Sequence, residues 1–105
     1  NKKNNPMRYI QTEDILKFEE IRGFKPTIDS MSGTVEWSNG KEEGQYLYAT
    51  PNWEEEGKCP VSIYHEDGEF QDVVVLKFTD MSKEEQITYY KEVVSDVIDV
   101  ILEKK

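Results

Sequence analysis

The sequence is poor in the residues that build catalytic and metal centres, with one cysteine, Cys59, and one histidine, His65, among 105 residues. A single cysteine excludes an intrachain disulfide and a thiolate metal cage within one chain. A Cys–His nucleophile pair needs its side chains at hydrogen-bond distance, whereas residues six apart on one strand lie ~20 Å from each other. We therefore predict no catalytic pair here.

Catalytic and cofactor motifs are missing as well. The sequence contains no Walker loop, dinucleotide fingerprint, nucleophile elbow or zinc-binding helix motif. No apolar run approaches the ~18 residues of a transmembrane helix. We expect no enzyme, no cofactor and no metal. A hydrolase or ligand-sensing enzyme built on scattered carboxylates stays a third alternative, because 22 acidic residues supply carboxylate pairs by chance.

Positive charge is scarce and unevenly placed. The chain has 13 Lys and Arg against 22 Asp and Glu, a net charge of −9. Residues 26–85 carry four basic and fourteen acidic side chains, whereas residues 1–25 carry six basic and four acidic ones. Such a field repels phosphate backbones and anionic membranes, so we expect no direct nucleic-acid binding.

The first residues are polar and slightly basic. Asn1-Lys2-Lys3-Asn4-Asn5-Pro6 resembles the tether that follows the lipid-bearing cysteine of bacterial lipoproteins. We therefore expect residues 1–8 to be a polar tether or disordered N-terminus, residues 9–105 to form a single α+β domain, and the protein to be lipid-tethered outside the cytoplasm. A cytoplasmic protein with a frayed terminus is the alternative.

Two helices are predicted. Thr12 can cap a helix of about ten residues with Glu13 and Asp14 in its first turn, and Arg22-Gly23 followed by Pro26 would end it. Ser82-Lys83-Glu84-Glu85 is a capping box. The apolar stripe after it continues at helical spacing and predicts a helix over 82–103.

Between the helices the apolar period changes to two. It predicts strands over 34–37, 45–50, 61–65 and 69–78, with turns at Asn39-Gly40 and Asp67-Gly68. Val73-Val74-Val75-Leu76 is apolar at every position, so apolar side chains point to both faces of the strand. This indicates a strand covered on both faces or central in the sheet. The predicted fold is α+β: a four-stranded antiparallel β-meander with an N-terminal helix and a long C-terminal helix packed on one face (α-β-β-β-β-α).

Aromatic residues concentrate in this meander. If Leu47 and Ala49 face the core, Tyr46 and Tyr48 face outward, and the reverse holds in the other register. Ordinary cross-strand packing is the alternative to a recognition surface. Trp53 is the strongest candidate for a contact residue because it lies in a loop before three glutamates. The predicted binding residues are Trp53, Trp37, Tyr46, Tyr48, Tyr64, Glu54 and Glu55.

The Asp67-Gly68 hairpin is rich in carboxylates. Glu66, Asp67, Glu69 and Asp72 could hold calcium, but the calcium-loop pattern is absent, so a solvated acidic turn is the preferred interpretation.

These observations favour a non-catalytic binding or accessory domain that recognises a protein partner, one with a basic surface, through an acidic sheet and loop surface that bears aromatic residues. The alternative is an acidic inhibitor or immunity-type protein that occludes a basic surface of an enzyme, for example a nucleic-acid-binding one.

Overall fold

The computed structural model describes residues 8–41, 46–65 and 67–103. Within them the chain forms a short helix, five strands and a long helix: α1 (Thr12–Ile15), β1 (Lys25–Ile28), β2 (Val35–Ser38), β3 (Tyr46–Ala49), β4 (Lys58–Tyr64), β5 (Phe70–Lys77) and α2 (Lys83–Glu103). The predicted tether falls on residues 1–8, of which only Arg8 lies inside the described residues.

The five strands form one antiparallel sheet in the order β1-β2-β3-β4-β5. The α+β class, the antiparallel meander and the C-terminal helix are therefore confirmed, but the strand count of four was wrong. The additional strand is β1, at one edge of the sheet. Pro26 can end a helix, but proline is also tolerated on an edge strand. Three of the four β1 residues are exposed, so no alternation of apolar and polar residues predicts this strand.

One face of the sheet builds the core. Burial alternates along β2, β3 and β4, so every second residue points toward α2. The buried side chains of the sheet include Val35, Trp37, Leu47, Ala49, Cys59, Val61, Ile63 and Leu76.

Helix α2 covers that face. Its N-terminus carries the predicted capping box: the Ser82 N–H donates to Glu85 Oε1 at 2.9 Å, and the Glu85 N–H donates to Ser82 Oγ at 3.1 Å. The helix has 21 residues, about 30 Å at 1.5 Å per residue. Its buried stripe is Gln86, Tyr90, Val94, Val97, Ile98 and Ile101. No helix in the described ranges is long and apolar enough to cross a membrane.

The N-terminal helix is much shorter than predicted. α1 ends after one turn at Ile15, which is fully buried. The chain then continues to Arg22 and Gly23, which have φ of 52° and 87° and turn it back so that Ile21 pairs with Phe24. Ile21 and Phe24 therefore belong to this turn, whereas Phe18 packs against Tyr90 of α2, with ring centroids 6.0 Å apart.

Strand β5 lies at the other edge of the sheet, so the prediction of a central or doubly covered strand was wrong. Val73, Val74 and Val75 are 42%, 41% and 50% exposed. A register irregularity between Val61 and Ser62 leaves Val73 as the extra residue between the pairs Val61–Val74 and Ser62–Asp72.

Candidate functional site

The sheet face opposite α2, here called the open face, carries four aromatic rings. The strand register places Tyr46 beside Tyr64 and Tyr64 beside Phe70 in one row, with Tyr48 in the next row. Ring centroids lie 6.2 Å apart for Tyr46 and Tyr64, 4.8 Å for Tyr64 and Phe70, and 5.6 Å for Tyr48 and Phe70. These four residues form a continuous aromatic cluster that no described element covers.

The orientation of β3 settles which aromatics face outward. Leu47 and Ala49 are fully buried, so Tyr46 and Tyr48 lie on the open face, as predicted for that register. Phe70 is 61% exposed at the start of β5 and is the most exposed member of the cluster.

Two side-chain hydrogen bonds order the neighbouring row of the open face. The Tyr48 hydroxyl donates to Glu36 Oε1 at 2.9 Å, and the Ser62 hydroxyl donates to Asp72 Oδ1 at 3.0 Å. Partial burial, together with the hydrogen bond and negative charge of the Glu36 carboxylate, raises the pKa of Tyr48. Tyr48 therefore stays a neutral donor with a fixed ring, and Asp72 is held in one orientation.

The loop between β3 and β4 adds Trp53 to this surface. Asn52 adopts a φ of 59°, its N–H donates to the Lys58 carbonyl at 2.7 Å, and its Oδ1 accepts the Gly57 N–H at 2.8 Å. These bonds close the loop at its base. Trp53 follows directly and is 49% exposed, consistent with its predicted loop position.

A groove of about 430 Å³ runs between the Trp53 loop, the β1–β2 connection and the open face. Its lining combines aromatic and apolar surface, hydroxyl groups and carboxylates: Asp29, Ser32, Thr34, Tyr48, Thr50, Trp53, Glu54, Pro60, Ser62, Phe70 and Asp72. Three of these residues are acidic, and none of the described residues that line the groove is Lys, Arg or His. The groove is therefore an acidic recess with aromatic walls.

The structure brings together most of the predicted binding residues, but not all of them. Tyr46, Tyr48 and Tyr64 belong to the aromatic cluster, and Trp53 and Glu54 line the groove. Glu55 lies outside the groove lining, and its carboxylate pairs with Lys58 Nζ at 3.3 Å.

The prediction for Trp37 was wrong. Trp37 is fully buried, and its Nε1–H donates to the Tyr90 hydroxyl at 2.9 Å. It pairs with Leu47 across β2 and β3, and residues directly opposite on antiparallel strands share a face. Trp37 therefore belongs to the core.

Phe70 was missing from the predicted site. A signal was present in the sequence, because a hairpin turn at Asp67-Gly68 places the start of β5 opposite the end of β4. The observed pairing of Tyr64 with Phe70 is the result.

Cys59 and His65 lie in different environments. Cys59 is buried on the core face, and burial raises the pKa of its thiol. His65 follows β4, where its Nε2 hydrogen-bonds Gln71 Oε1 at 3.0 Å.

The acidic hairpin lies partly outside the described residues, which exclude Glu66. Asp67 Oδ1 accepts the Glu69 N–H at 3.0 Å, and Asp72 accepts from Ser62. Among the described residues no group of three His, Cys, Asp or Glu side chains is arranged to hold a metal ion.

Comparison of the chain with models of protein families, with curated proteins and with solved structures finds no match.

Proposed function

We propose that this chain is a non-catalytic binding domain whose open face and Trp53 loop form the contact surface for a protein partner. One observation carries the proposal: the four clustered rings lie on the sheet face that no described element covers, beside a groove that a fifth aromatic, Trp53, borders. Aromatic side chains supply large apolar contact area with few rotatable bonds.

The exposure of the rings favours recognition over internal packing alone. Phe70 is 61% and Trp53 is 49% exposed, so both retain much of their apolar surface for a partner. Burial of apolar area contributes roughly 25 cal/mol per Å². A partner that covers these two side chains and the adjoining rings would therefore gain the kind of anchor that typically dominates interface energetics.

The charge of the surface indicates the chemistry of the partner. The groove is lined by Asp29, Glu54 and Asp72 without a described basic residue, and the whole chain has a net charge of −9. A partner with a basic surface would be attracted over distance and would neutralise these carboxylates on contact. Nucleic acid and anionic membranes would be repelled.

A capture experiment tests the proposal. The immobilised full chain is compared with the double variant Trp53→Ala, Tyr46→Ala and with Val100→Ala, a control that truncates an exposed apolar residue on α2. We expect proteins retained by the unmodified chain and by Val100→Ala to be lost from the double variant. Equal retention by all three would contradict the proposal.

A second candidate function is an inhibitor that occludes a basic enzyme surface, and the acidic lining of the groove favours it. Such an inhibitor would associate by electrostatic steering, with a rate that falls steeply as salt rises. An association rate that hardly changes between low and high salt would argue against it, while leaving aromatic-driven binding intact.

A further inference from the structure

We infer that the groove holds an arginine side chain of the partner, with the guanidinium against the aromatic wall and hydrogen-bonded to the groove carboxylates. This inference rests on the proposed function and names the group that the acidic recess recognises.

The aromatic wall fits a flat cation. Tyr48, Phe70 and Trp53 all line the groove, and the Tyr48 and Phe70 rings lie 5.6 Å apart with planes tilted by 41°. The Tyr48–Glu36 hydrogen bond fixes one of these rings. A guanidinium group stacks on such ring faces and is attracted to their negative quadrupole.

The carboxylates supply complementary acceptors on the same recess. Asp72 Oδ1 accepts the Ser62 hydroxyl at 3.0 Å, which orients the carboxylate while Oδ2 has no hydrogen bond to a described residue. Glu54 also lines the groove, from the loop between β3 and β4. An arginine presents five N–H donors in a planar fork, so it can engage a carboxylate and hydroxyl oxygens together.

No described lysine or arginine lines the recess. Lys58, on the same face, pairs with Glu55 at 3.3 Å and borders a neighbouring depression with Pro60 and Val75. The groove carboxylates thus have no lysine or arginine partner among the residues that line it. Lysine is a poorer occupant than arginine because its ammonium is compact, strongly hydrated and unable to stack.

A peptide titration tests the inference. The full chain, labelled with ¹⁵N, is titrated with acetyl-Gly-Arg-Gly-amide while the indole N–H resonance of Trp53 is followed; matched peptides carry lysine or the neutral isostere citrulline. We expect a saturable shift with the arginine peptide, weaker binding of the lysine peptide, and about tenfold weaker binding of the citrulline peptide, which loses the charge-assisted contacts.

Variants locate the effect. Asp72→Asn keeps the shape of the side chain and should weaken binding of the arginine peptide about fivefold to tenfold. Glu92→Gln removes one charge from an exposed position on α2 and should leave the affinity for the arginine peptide unchanged. Equal affinity for arginine and citrulline would overturn the inference. So would the absence of a saturable shift at about 20 mM, well above the roughly 1 mM dissociation constant expected of so small a ligand.

The two proposals fail separately. If the arginine peptide does not bind but Trp53→Ala with Tyr46→Ala still abolishes partner capture, the open face is a contact surface without an arginine pocket. If capture is unchanged by that pair, the proposed function itself is wrong.

Discussion

Trp37 and Tyr90 lie in a buried chain of hydrogen bonds that joins the sheet to α2. The Trp37 Nε1–H donates to the Tyr90 hydroxyl at 2.9 Å, and that hydroxyl donates to the carbonyl oxygen of Ala49 at 2.8 Å. Both side chains are fully buried, and burial raises the pKa of the Tyr90 phenol. These hydrogen bonds join the helix to β2 through Trp37 and to β3 through Ala49.

Tyr90→Phe removes the hydroxyl from this chain and leaves the indole N–H of Trp37 and the carbonyl oxygen of Ala49 without that partner. We expect the free energy of unfolding to fall by about 1–3 kcal/mol, because buried polar groups lose their hydrogen bonds. Urea denaturation measures the change. Tyr89→Phe, at a half-buried position on the same helix, should change the free energy of unfolding by less than about 0.5 kcal/mol. Equal effects of both variants would show that the hydroxyl of Tyr90 is not special.

Gln86 connects α2 to the segment before α1. Its Oε1 accepts the Ile10 N–H at 2.9 Å, and its Nε2 donates to the carbonyls of Arg8 and Met81 at 3.1 Å each. Gln86→Leu should speed hydrogen exchange of the Ile10 amide and lower the unfolding free energy by about 2 kcal/mol. Amides in β4 should keep their relative protection. An Ile10 amide as protected as before would contradict the assigned role of Gln86.

The two tryptophans differ in exposure, with Trp37 fully buried and Trp53 49% exposed. Iodide in solution should therefore quench only part of the native fluorescence. In Trp53→Phe the remaining emission should resist iodide until the protein is unfolded, because Trp37 is inaccessible in the folded chain. Continued quenching of the native variant would show that Trp37 is exposed and that the assignment of the two faces is wrong.

Cys59 makes the free energy of unfolding depend on pH in the alkaline range. Burial raises the pKa of its thiol above the ordinary 9.0, so above that pH the unfolded chain loses a proton that the folded chain keeps. The Cys59 contribution is then complete below about pH 8.5 and falls by up to about 1.4 kcal/mol per pH unit above about pH 9.

Urea denaturation of the unmodified chain and of Cys59→Ala at pH 8 and pH 10 measures this dependence. Raising the pH from 8 to 10 should lower the unfolding free energy of the unmodified chain by about 1 kcal/mol more than that of Cys59→Ala. A difference that is the same at both pH values would contradict a buried, protonated thiol.

The strands and the long helix that bury one side were predictable from alternating apolar residues and from the helix capping box. Leu47 and Ala49 alternate with Tyr46 and Tyr48, so the strand and its two possible faces were predictable. The long helix followed from Ser82 and its capping box. The choice between the two registers depended on α2 packing against Ala49, a contact between residues distant in sequence.

The errors occurred where local patterns do not carry the information. β1 contains Pro26 and three exposed residues, so no alternation of apolar and polar residues marks it as a strand. Val73 to Val75 indicated a central strand, but strand order is a property of the whole sheet. Trp37 lies two residues from Val35 on β2, so strand geometry places both side chains on the same, buried face.

Photo-crosslinking is the most direct test of the open face as the binding surface. The photoreactive residue p-benzoylphenylalanine replaces either Phe70, on the open face, or Glu92, exposed on α2, and the chain is irradiated in the cells from which it comes. We predict a covalent adduct with a partner protein from position 70 and none from position 92. Adducts from position 92 alone, or from neither position, would contradict the account.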